Sequence, residues 1–392
     1  MWSSQQFRKL AQEQGMDEPT IRAVIAQVKA TVAPPLRLPA ILTLGHLAER
    51  SGVSYDALRR LVAGTQHHSY RQFKIRKKSE QARKRRSFRI IHIPCPPLFE
   101  VQRWISTYVL RELPVHPSSH AFSPGSSIVK CAEIHCKARW LVKLDVHDFF
   151  SSVSEIQVYR VFRSLNYGAL ISFEMARLCT YRPNRETFKL ALPGRFRVPS
   201  GIVRHPGRGI KSYSHKYVGY LPQGAPTSPM LANLAMKDID VAISKIASDH
   251  GLRYTRYSDD LTFSTEGDFS RGKALNVIQE VAQKLIVHGL MLNNPKTTVA
   301  PPSARKIVLG LLVDGADPRL MKSFKDKVRQ HLYYCGKYGV EEHAARRKFD
   351  SVGGFVRHLR GLIDFGNMVE PCWAADMYDQ MSKVLGSNKF DL

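Results

Sequence analysis

Two adjacent aspartates, Asp259 and Asp260, have the clearest potential for chemistry in this sequence. They follow Tyr257 and Ser258 within residues 252–264, where apolar and polar positions alternate as in a β-strand on both sides of the pair. The segment therefore predicts a β-hairpin with both carboxylates at its tip. Neighbouring carboxylates on a tight turn repel each other unless a cation lies between them, so the pair predicts a metal site.

Asp145 supplies a third carboxylate. It follows the mostly apolar residues 141–144, which predict a buried strand that ends at the aspartate. Three carboxylates from two adjacent strands can hold two Mg²⁺ ions roughly 3.5 to 4 Å apart, an arrangement that supports in-line phosphoryl transfer. An isolated pair of aspartates is more often a solvated turn, so this interpretation depends on the segments that accompany it.

Three further segments accompany the carboxylates in a fixed order. Residues 221–233 form a turn rich in Gly and Pro that runs into an apolar helix, and residues 290–297 and 306–313 follow the aspartate pair. Together these segments resemble the palm of a reverse transcriptase, over roughly residues 85 to 315. Within that superfamily the chain is most similar to the bacterial retron reverse transcriptases, on the strength of residues 120–129, 144–153 and 161–167.

Three positions depart from the retron pattern. Cys131 and His135 resemble the motif Asn-Ala-x-x-His with Cys in place of Asn, Leu309 replaces the Thr of a Val-Thr-Gly motif, and Ser258 replaces the commoner Ala. The resemblance implies that the first two motifs recognise the family's own RNA. His135 is therefore a candidate for RNA contact, although a lone histidine beside an apolar segment more often makes hydrogen bonds in the core.

The resemblance implies an α+β fold. We expect a right-hand polymerase with fingers, a palm of antiparallel sheet plus helices, and a helical thumb, preceded by a small N-terminal helical region. The expected boundaries are 1–68 for the N-terminal region, 69–315 for fingers and palm with a basic insertion at 182–216, and 316–392 for the thumb. Residues 44–61 mimic a helix-turn-helix, for which we predict packing against the fingers rather than DNA reading.

The resemblance also assigns roles around the carboxylates. Asp145 and Asp259 are expected to ligate both Mg²⁺ ions, Asp260 to support the ion at the primer, and the backbone carbonyl of Val146 to act as a further oxygen ligand. Lys296 is implied to protonate the pyrophosphate leaving group. A surface lysine that stabilises a turn is an equally good interpretation of Lys296.

Further residues are expected to contact the incoming nucleotide. Arg86 and Arg89 lie in a strongly basic segment that resembles the fingers hairpin, and paired guanidinium hydrogen bonds suit phosphate oxygens. Phe150 stands where the family places a steric gate against a ribonucleotide 2′-hydroxyl. Core packing is the alternative, since Phe150 and the residue before it would point to opposite faces of a strand. Gln223 and Gly224 are expected to touch the sugar and base.

Residues expected to contact nucleic acid lie in two places. Tyr257 either stacks near the primer terminus or anchors its hairpin. Lys325, Arg329 and Arg357 lie on the predicted thumb helices at residues 322–334 and 349–365, where they are expected to follow the minor groove of an RNA:DNA hybrid.

The composition indicates a polyanionic partner. The sequence has 59 Lys and Arg against 33 Asp and Glu, a formal net charge of +26. An 18-residue apolar run, a signal peptide and a lipidation motif are absent from the sequence, so we expect a cytoplasmic bacterial protein that does not bind membranes. Its 6 cysteines form no Cys-x-x-Cys pair and are expected to be reduced thiols.

The resemblance implies an RNA-directed DNA polymerase of a retron. Such an enzyme copies part of a cognate non-coding RNA with dNTPs, starting from the 2′-hydroxyl of an internal guanosine. Its product is single-stranded DNA linked to the RNA (msDNA). The resemblance further implies antiphage defence together with an effector protein. The alternatives are an abortive-infection or diversity-generating reverse transcriptase, or a non-catalytic RNA-binding scaffold.

Overall fold

The computed structural model describes residues 3–64, 69–76, 88–182 and 218–386. The chain divides into two compact units. The first comprises Met1–Gly125, Val146–Ile243 and Ala282–Asn293. The second comprises Ser126–Asp145, Ser244–Val281 and Asn294–Leu392. The described helices, α1 to α16 in chain order, are Ser4–Glu13, Glu18–Val32, Leu44–Ser51, Tyr55–Ala63, Pro96–Ile105, Ile128–Glu133, Phe149–Ser152, Glu155–Ser164, Ala169–Cys179, Ser228–Ala235, Lys237–Asp249, Arg271–Val287, Lys322–Tyr338, Val340–Arg346, Val352–Asn367 and Pro371–Leu385.

The N-terminal residues form the predicted helices. Side-chain oxygens at four helix starts accept backbone N–H groups that would otherwise lack a partner, and these caps are Ser3, Asp17, Thr43 and Ser54. The two helices of the helix-turn-helix pattern, α3 and α4, both pack against α5, and α4 also packs against α9. This confirms packing within the first unit as the role of their apolar faces.

A two-stranded hairpin completes the described part of the first unit. Strand β1, Tyr70–Arg76, pairs with β2, Phe88–Pro94, in antiparallel register from Tyr70↔Pro94 to Arg76↔Phe88. The predicted basic hairpin is therefore confirmed over these strands. The residues between them lie outside the described part of the chain, and Arg86 is among them.

The second unit contains a four-stranded antiparallel sheet that carries the predicted carboxylates. Its strands β3, Trp140–Asp145, β4, Arg253–Tyr257, β5, Asp260–Thr265, and β6, Thr298–Ala300, stand in the order β4-β5-β3-β6. Aliphatic and aromatic side chains on the central strands, such as Leu144, Leu261 and Phe263, are buried, and so are Thr262 and Ser264 on β5. The sheet confirms the predicted α+β class.

The C-terminal part of the second unit is mostly helical. Three short strands, β7 at Ile307–Val308, β8 at Leu311–Leu312 and β9 at Arg319–Leu320, precede helices α13 to α16. These helices share a hydrophobic core that includes Phe355, Leu359 and Trp373. The structure has four helices where two were predicted, and α15 begins three residues later than expected. None of the described helices is long and apolar enough to cross a membrane.

Candidate active site

The three predicted carboxylates meet at one edge of the four-stranded sheet. Strands β4 and β5 end their pairing at Tyr257↔Asp260, so Ser258 and Asp259 form the turn of the hairpin. On the other side of β5, Asp260 pairs with Asp145, the last residue of β3. Hydrogen-bonded register thus brings one acidic residue from each central strand next to the acidic turn, as the sequence predicted.

Burial and mutual repulsion disfavour charged carboxylates at this edge of the sheet. Burial raises the pKa of Asp259, and the neighbouring charge of Asp145 raises it further. Burial and the charge of Asp259 raise the pKa of Asp260 to about 6. Since a raised carboxyl pKa means that the folded state disfavours the anion, ionised Asp259 and Asp260 destabilise the edge unless a cation offsets their charge.

Lys296 provides one such cation in this structure. Its Nζ lies 2.7 Å from Oδ2 of Asp145 and donates a hydrogen bond to it, although the lysine side chain is 54% exposed and the aspartate only 8%. The lysine sits at the end of a short 3₁₀ turn, Asn294–Lys296. Protonation of the leaving group and stabilisation of a turn both stay predictions for Lys296, because its ammonium binds a carboxylate and is also accessible to solvent.

The donor chemistry of this edge fits a divalent cation. Three carboxylates supply hard oxygen ligands and an excess of negative charge, which is what Mg²⁺ requires. Within the part of the chain that is described, however, no group of three or more His, Cys, Asp or Glu side chains is arranged to hold a metal ion. Lys296 instead donates a hydrogen bond to one carboxylate oxygen of Asp145. The residue types therefore fit a divalent cation, whereas in this structure Asp145 forms an ion pair with Lys296.

Val146, the residue after Asp145, is the predicted source of a carbonyl ligand. Its side chain is buried, and it forms a single antiparallel bridge with Leu292. The next peptide is also fixed, because the N–H of His147 donates to the carbonyl of Met291 at 2.8 Å. Both contacts hold the backbone around Val146 against residues 291–292.

The predicted nucleotide contacts Arg89, Gln223 and Gly224 lie in the first unit and are linked through β2. The N–H of His92 donates to the carbonyl of Gln223 at 2.8 Å. Gly224 has φ +110°, and a Cβ built on it would lie 2.8 Å from Ile91 Cγ2. Arg89 is exposed on the same strand, two residues from Ile91 and hence on the same face. Gln223 and Gly224 therefore lie against β2, the strand that carries Arg89.

Phe150 differs from its predicted setting. It lies on the one-turn helix α7, Phe149–Ser152, and not on a strand. Phe149 is buried, whereas Phe150 is half-buried with its ring centroid 6.1 Å from that of Phe122. The argument from opposite strand faces is wrong, because the chain turns helical directly after β3. Part of the Phe150 side chain is exposed, and its role as a steric gate against a ribonucleotide stays a prediction.

His135 is a correction to the predicted RNA contacts. Its side chain is 0% exposed. One ring nitrogen lies 2.7 Å from Thr255 Oγ1 on β4, and the other lies 2.7 Å from Ser264 Oγ on β5. Cys131 Sγ donates to the same Thr255 hydroxyl at 3.4 Å. Both ends of the predicted RNA motif thus point inward and tie the segment to the sheet, so direct RNA contact by His135 is wrong and core hydrogen bonding is right.

We expect His135→Ala to lower the free energy of unfolding by about 1–3 kcal/mol, because buried hydroxyl groups lose their partner. RNA affinity of the folded protein should not change. Thermal unfolding together with RNA titration of the same preparation measures both quantities. His288→Ala, at an exposed histidine, is the control. Weaker RNA binding by the alanine variant at unchanged stability would contradict the buried role.

The remaining predicted contacts have different settings. Tyr257 is half-buried at the end of β4. Arg329 and Arg357 lie on α13 and α15 with exposed side chains, so their contact with nucleic acid stays a prediction. Lys325 donates to a carboxylate oxygen of Glu370, whose other oxygen accepts the Leu320 N–H. This ion pair joins α13 to the start of α16, and the predicted contact of Lys325 with an RNA:DNA hybrid stays a prediction.

Sequence reasoning missed Arg256. It is the largest of the fully buried side chains, and its guanidinium donates to the carbonyl of Ser258 in the turn at 3.1 Å. Alternation along β4 gives no sign of this, since Tyr254, Thr255 and Arg256 are all buried in succession. A cation inside a strand that is otherwise covered on both faces is the signal that could have revealed it.

Comparison with known proteins agrees with this geometry. Residues 75–313 match the family described as reverse transcriptase (RNA-dependent DNA polymerase). The chain is 30% identical over 312 residues to the retron Ec86 reverse transcriptase of Escherichia coli, an alignment that spans 79% of this chain and 83% of that one. It is 32% identical to the retron Mx162 reverse transcriptase of Myxococcus xanthus, over 76% of this chain and 58% of that one.

Proposed function

We propose that this chain, which belongs to the reverse transcriptase family and within it to the retron enzymes, copies part of a cognate structured non-coding RNA into RNA-linked single-stranded DNA. The RNA serves as template and also as primer, through the 2′-hydroxyl of an internal guanosine. The chain is an RNA-directed DNA polymerase that uses an RNA template and nucleotide substrates. The branched product and a role in antiphage defence with an effector protein are the specific parts of the proposal.

The observation that carries the proposal is the acidic edge of the sheet. Asp145, Asp259 and Asp260 stand together, although burial and neighbouring charge raise the pKa values of Asp259 and Asp260 and make the ionisation of these two costly. A protein that only binds RNA would gain nothing from adjacent buried carboxylates, because their mutual repulsion lowers the stability of the fold. Strained electrostatics of this kind support a catalytic role over the scaffold alternative.

The acidic edge is proposed to hold two Mg²⁺ ions. Asp145, Asp259 and Asp260 would supply carboxylate oxygens and Val146 a carbonyl oxygen. When bound, such ions lower the pKa of an attacking hydroxyl and stabilise charge on the triphosphate. The protein's own contribution is to fix these oxygens on paired strands. Lys296, which pairs with Asp145 in this structure, would pass a proton to a leaving phosphate oxygen.

The first unit is proposed to bind the incoming dNTP. Arg89, with Arg86, offers guanidinium donors that match phosphate oxygens. The turn at Gln223 and Gly224 is fixed on β2 by the His92 hydrogen bond, and the absence of a side chain at Gly224 leaves room for the close approach to Ile91 and the His92 carbonyl. Phe150 would exclude a ribonucleotide 2′-hydroxyl, which makes the product DNA.

Mg²⁺ binding should depend on pH. Because the folded pKa of Asp260 is raised to about 6, the metal-free protein binds this proton more tightly than the unfolded chain does. The contribution of Asp260 to stability is therefore fully present at low pH and is lost as the pH rises through that value. We expect Mg²⁺ to raise the melting temperature clearly at one pH unit above this value and little at one unit below. Asp260→Asn should remove the dependence, and an equal Mg²⁺ effect at both pH values would contradict it.

The basic insertion is proposed to bind nucleic acid. Residues 183–217 lie outside the described part of the chain, but both ends are fixed. Tyr181 and Tyr220 exchange backbone hydrogen bonds of 2.8 and 3.0 Å. The Glu155 carboxylate accepts the N–H of Gly219 at 3.1 Å.

Because these ends are neighbours, a short Gly-Ser linker should replace residues 183–217 without loss of the fold. We expect weaker RNA binding with a shallower dependence on salt, since each lost phosphate contact lowers the slope of log affinity against log salt by about 0.7 to 0.9. Circular dichroism and RNA titration over a salt series measure this. Unchanged affinity and slope would show that the insertion does not contact RNA.

The branched product is tested by expressing the chain together with its native flanking sequence and extracting the bound nucleic acid. A discrete DNA band that shifts after treatment with ribonuclease and debranching enzyme would support the retron product. Unbranched DNA would instead favour an abortive-infection or diversity-generating enzyme. Bound RNA without DNA would favour the scaffold.

A further inference from the structure

The turn that carries Asp259 has an unfavourable backbone. Ser258, the first residue of the turn, has φ +58°, a left-handed conformation that residues other than glycine seldom adopt. Ser258 is also buried, so solvent does not satisfy its peptide groups freely. A neighbouring group must therefore stabilise this conformation, since it would otherwise cost free energy that another turn type avoids.

Arg256 is placed to stabilise this turn. It lies on β4, pairs across the hairpin with Leu261, and is 0% exposed. Its Nη1 donates to the Ser258 carbonyl at 3.1 Å. The peptide bond that contains this carbonyl also contains the N–H of Asp259, so the guanidinium orients the peptide from which the catalytic aspartate extends.

Burial of a guanidinium is expensive, which makes a purely incidental contact a poor explanation. A charged group removed from water costs several kcal/mol unless hydrogen bonds compensate it. A leucine or methionine would fill the interior of a strand at lower cost. The planar fork of arginine can hold a carbonyl while its other N–H groups bind elsewhere, whereas a lysine offers one flexible donor centre.

We infer that Arg256 is a positioning residue of the polymerase, which holds Ser258 in its left-handed conformation and thereby fixes the Asp259 carboxylate. This inference rests on the proposed role of Asp259 as a metal ligand. The effect of Arg256 would be exerted through the turn peptide, since its side chain is 0% exposed and therefore closed to substrate and metal. It determines how well the acidic edge is organised before either arrives.

The variant Arg256→Lys keeps the charge and loses the fork. We expect a fall in kcat of at least about tenfold and a similar rise in the Mg²⁺ concentration for half-maximal activity, with a small change in KM for dNTP, because a misplaced catalytic group loses roughly this much or more. Arg177→Lys is the matched control. Arg177 is also buried and is held by Glu155 at 2.9 Å, in the first unit. Its variant should lower the melting temperature and leave the Mg²⁺ requirement unchanged.

A second substitution separates positioning from general stability. Glycine adopts positive φ without strain, so Ser258→Gly should restore part of the lost activity and Mg²⁺ affinity in the Arg256→Lys background. Ser258→Ala, which also loses the side-chain hydrogen bond to Asp259 but keeps the backbone strain, should restore none. Such coupling between the two sites is the expected result of a double-mutant cycle. Independent effects of the two substitutions, or a loss of activity that only follows the folded fraction, would overturn the inference.

The Mg²⁺-induced rise in melting temperature gives the same cycle without any catalytic readout. If the wild type made no DNA, the proposed function would fail on that result alone. The positioning role would still be judged by whether Arg256→Lys weakens the Mg²⁺ effect and Ser258→Gly recovers it. If Mg²⁺ did not stabilise the wild type either, the assignment of Asp259 as a ligand would fall, and the inference with it.

Discussion

Asp259→Asn should reduce DNA synthesis by at least about 10³-fold, the range seen when a group that acts on the transition state is removed. The amide has nearly the shape of the carboxylate but no charge to hold a metal ion. Burial and the charge of Asp145 raise the pKa of Asp259, so the substitution also removes a repulsion from the folded state. We therefore expect a variant that is inactive, binds RNA normally and is at least as stable as the wild type.

Primer extension on a defined RNA template, RNA titration and thermal unfolding measure the three quantities. Asp268→Asn is the control, since Asp268 is an aspartate of the same unit whose side chain is fully exposed and pairs only at the surface with Arg139. Full DNA synthesis by the Asp259 variant would refute the site. A large loss of stability would instead show that its carboxylate is a structural group.

Gly224→Ala should impair nucleotide binding strongly. Gly224 has φ +110°, where an alanine backbone costs about 1–3 kcal/mol. The new Cβ would also lie 2.8 Å from Ile91 Cγ2 and 2.9 Å from the His92 carbonyl oxygen. Because a carbonyl on a paired strand cannot move aside as a side-chain tip can, the turn must leave β2.

The expected result is a rise in KM for dNTP of at least about tenfold, which corresponds to roughly 1.4 kcal/mol of binding free energy. RNA affinity should stay near the wild-type value. Gly251→Ala separates strain from contact, since Gly251 has φ +66° but no atom within 4 Å of a built Cβ. A wild-type KM in the Gly224 variant would show that this turn does not shape the nucleotide site.

The sequence predicted those parts of the site that local patterns encode. Alternation on either side of Asp259 predicted the hairpin, and the apolar run before Asp145 predicted the strand that ends there. Both are confirmed by the strand pairing, although the described strands are buried on both faces and do not alternate in burial. The sequence predicted that the carboxylates lie on two adjacent strands, whereas the register that sets Asp145 against Asp260 comes from the structure.

Other features depend on partners distant in sequence and could not be predicted from local patterns. The hydrogen-bond partners of His135 could not be named from the sequence, because Thr255 and Ser264 lie more than a hundred positions away. Lys325 was predicted to contact nucleic acid from the surface, because its partner Glu370 lies 45 positions away at the start of α16. Arg256 was overlooked because a basic residue in a strand is normally assigned to solvent.

Labelled nucleotide incorporation by the purified chain together with its co-purified RNA tests the central claim most directly. Given Mg²⁺ and labelled dNTPs, the wild type should attach label covalently to that RNA, and the resulting DNA should be complementary to part of it. The Asp259→Asn variant, with the same RNA bound, should attach none. Label that appears equally in the variant, or no incorporation by a folded wild type with RNA and Mg²⁺ present, would contradict the account.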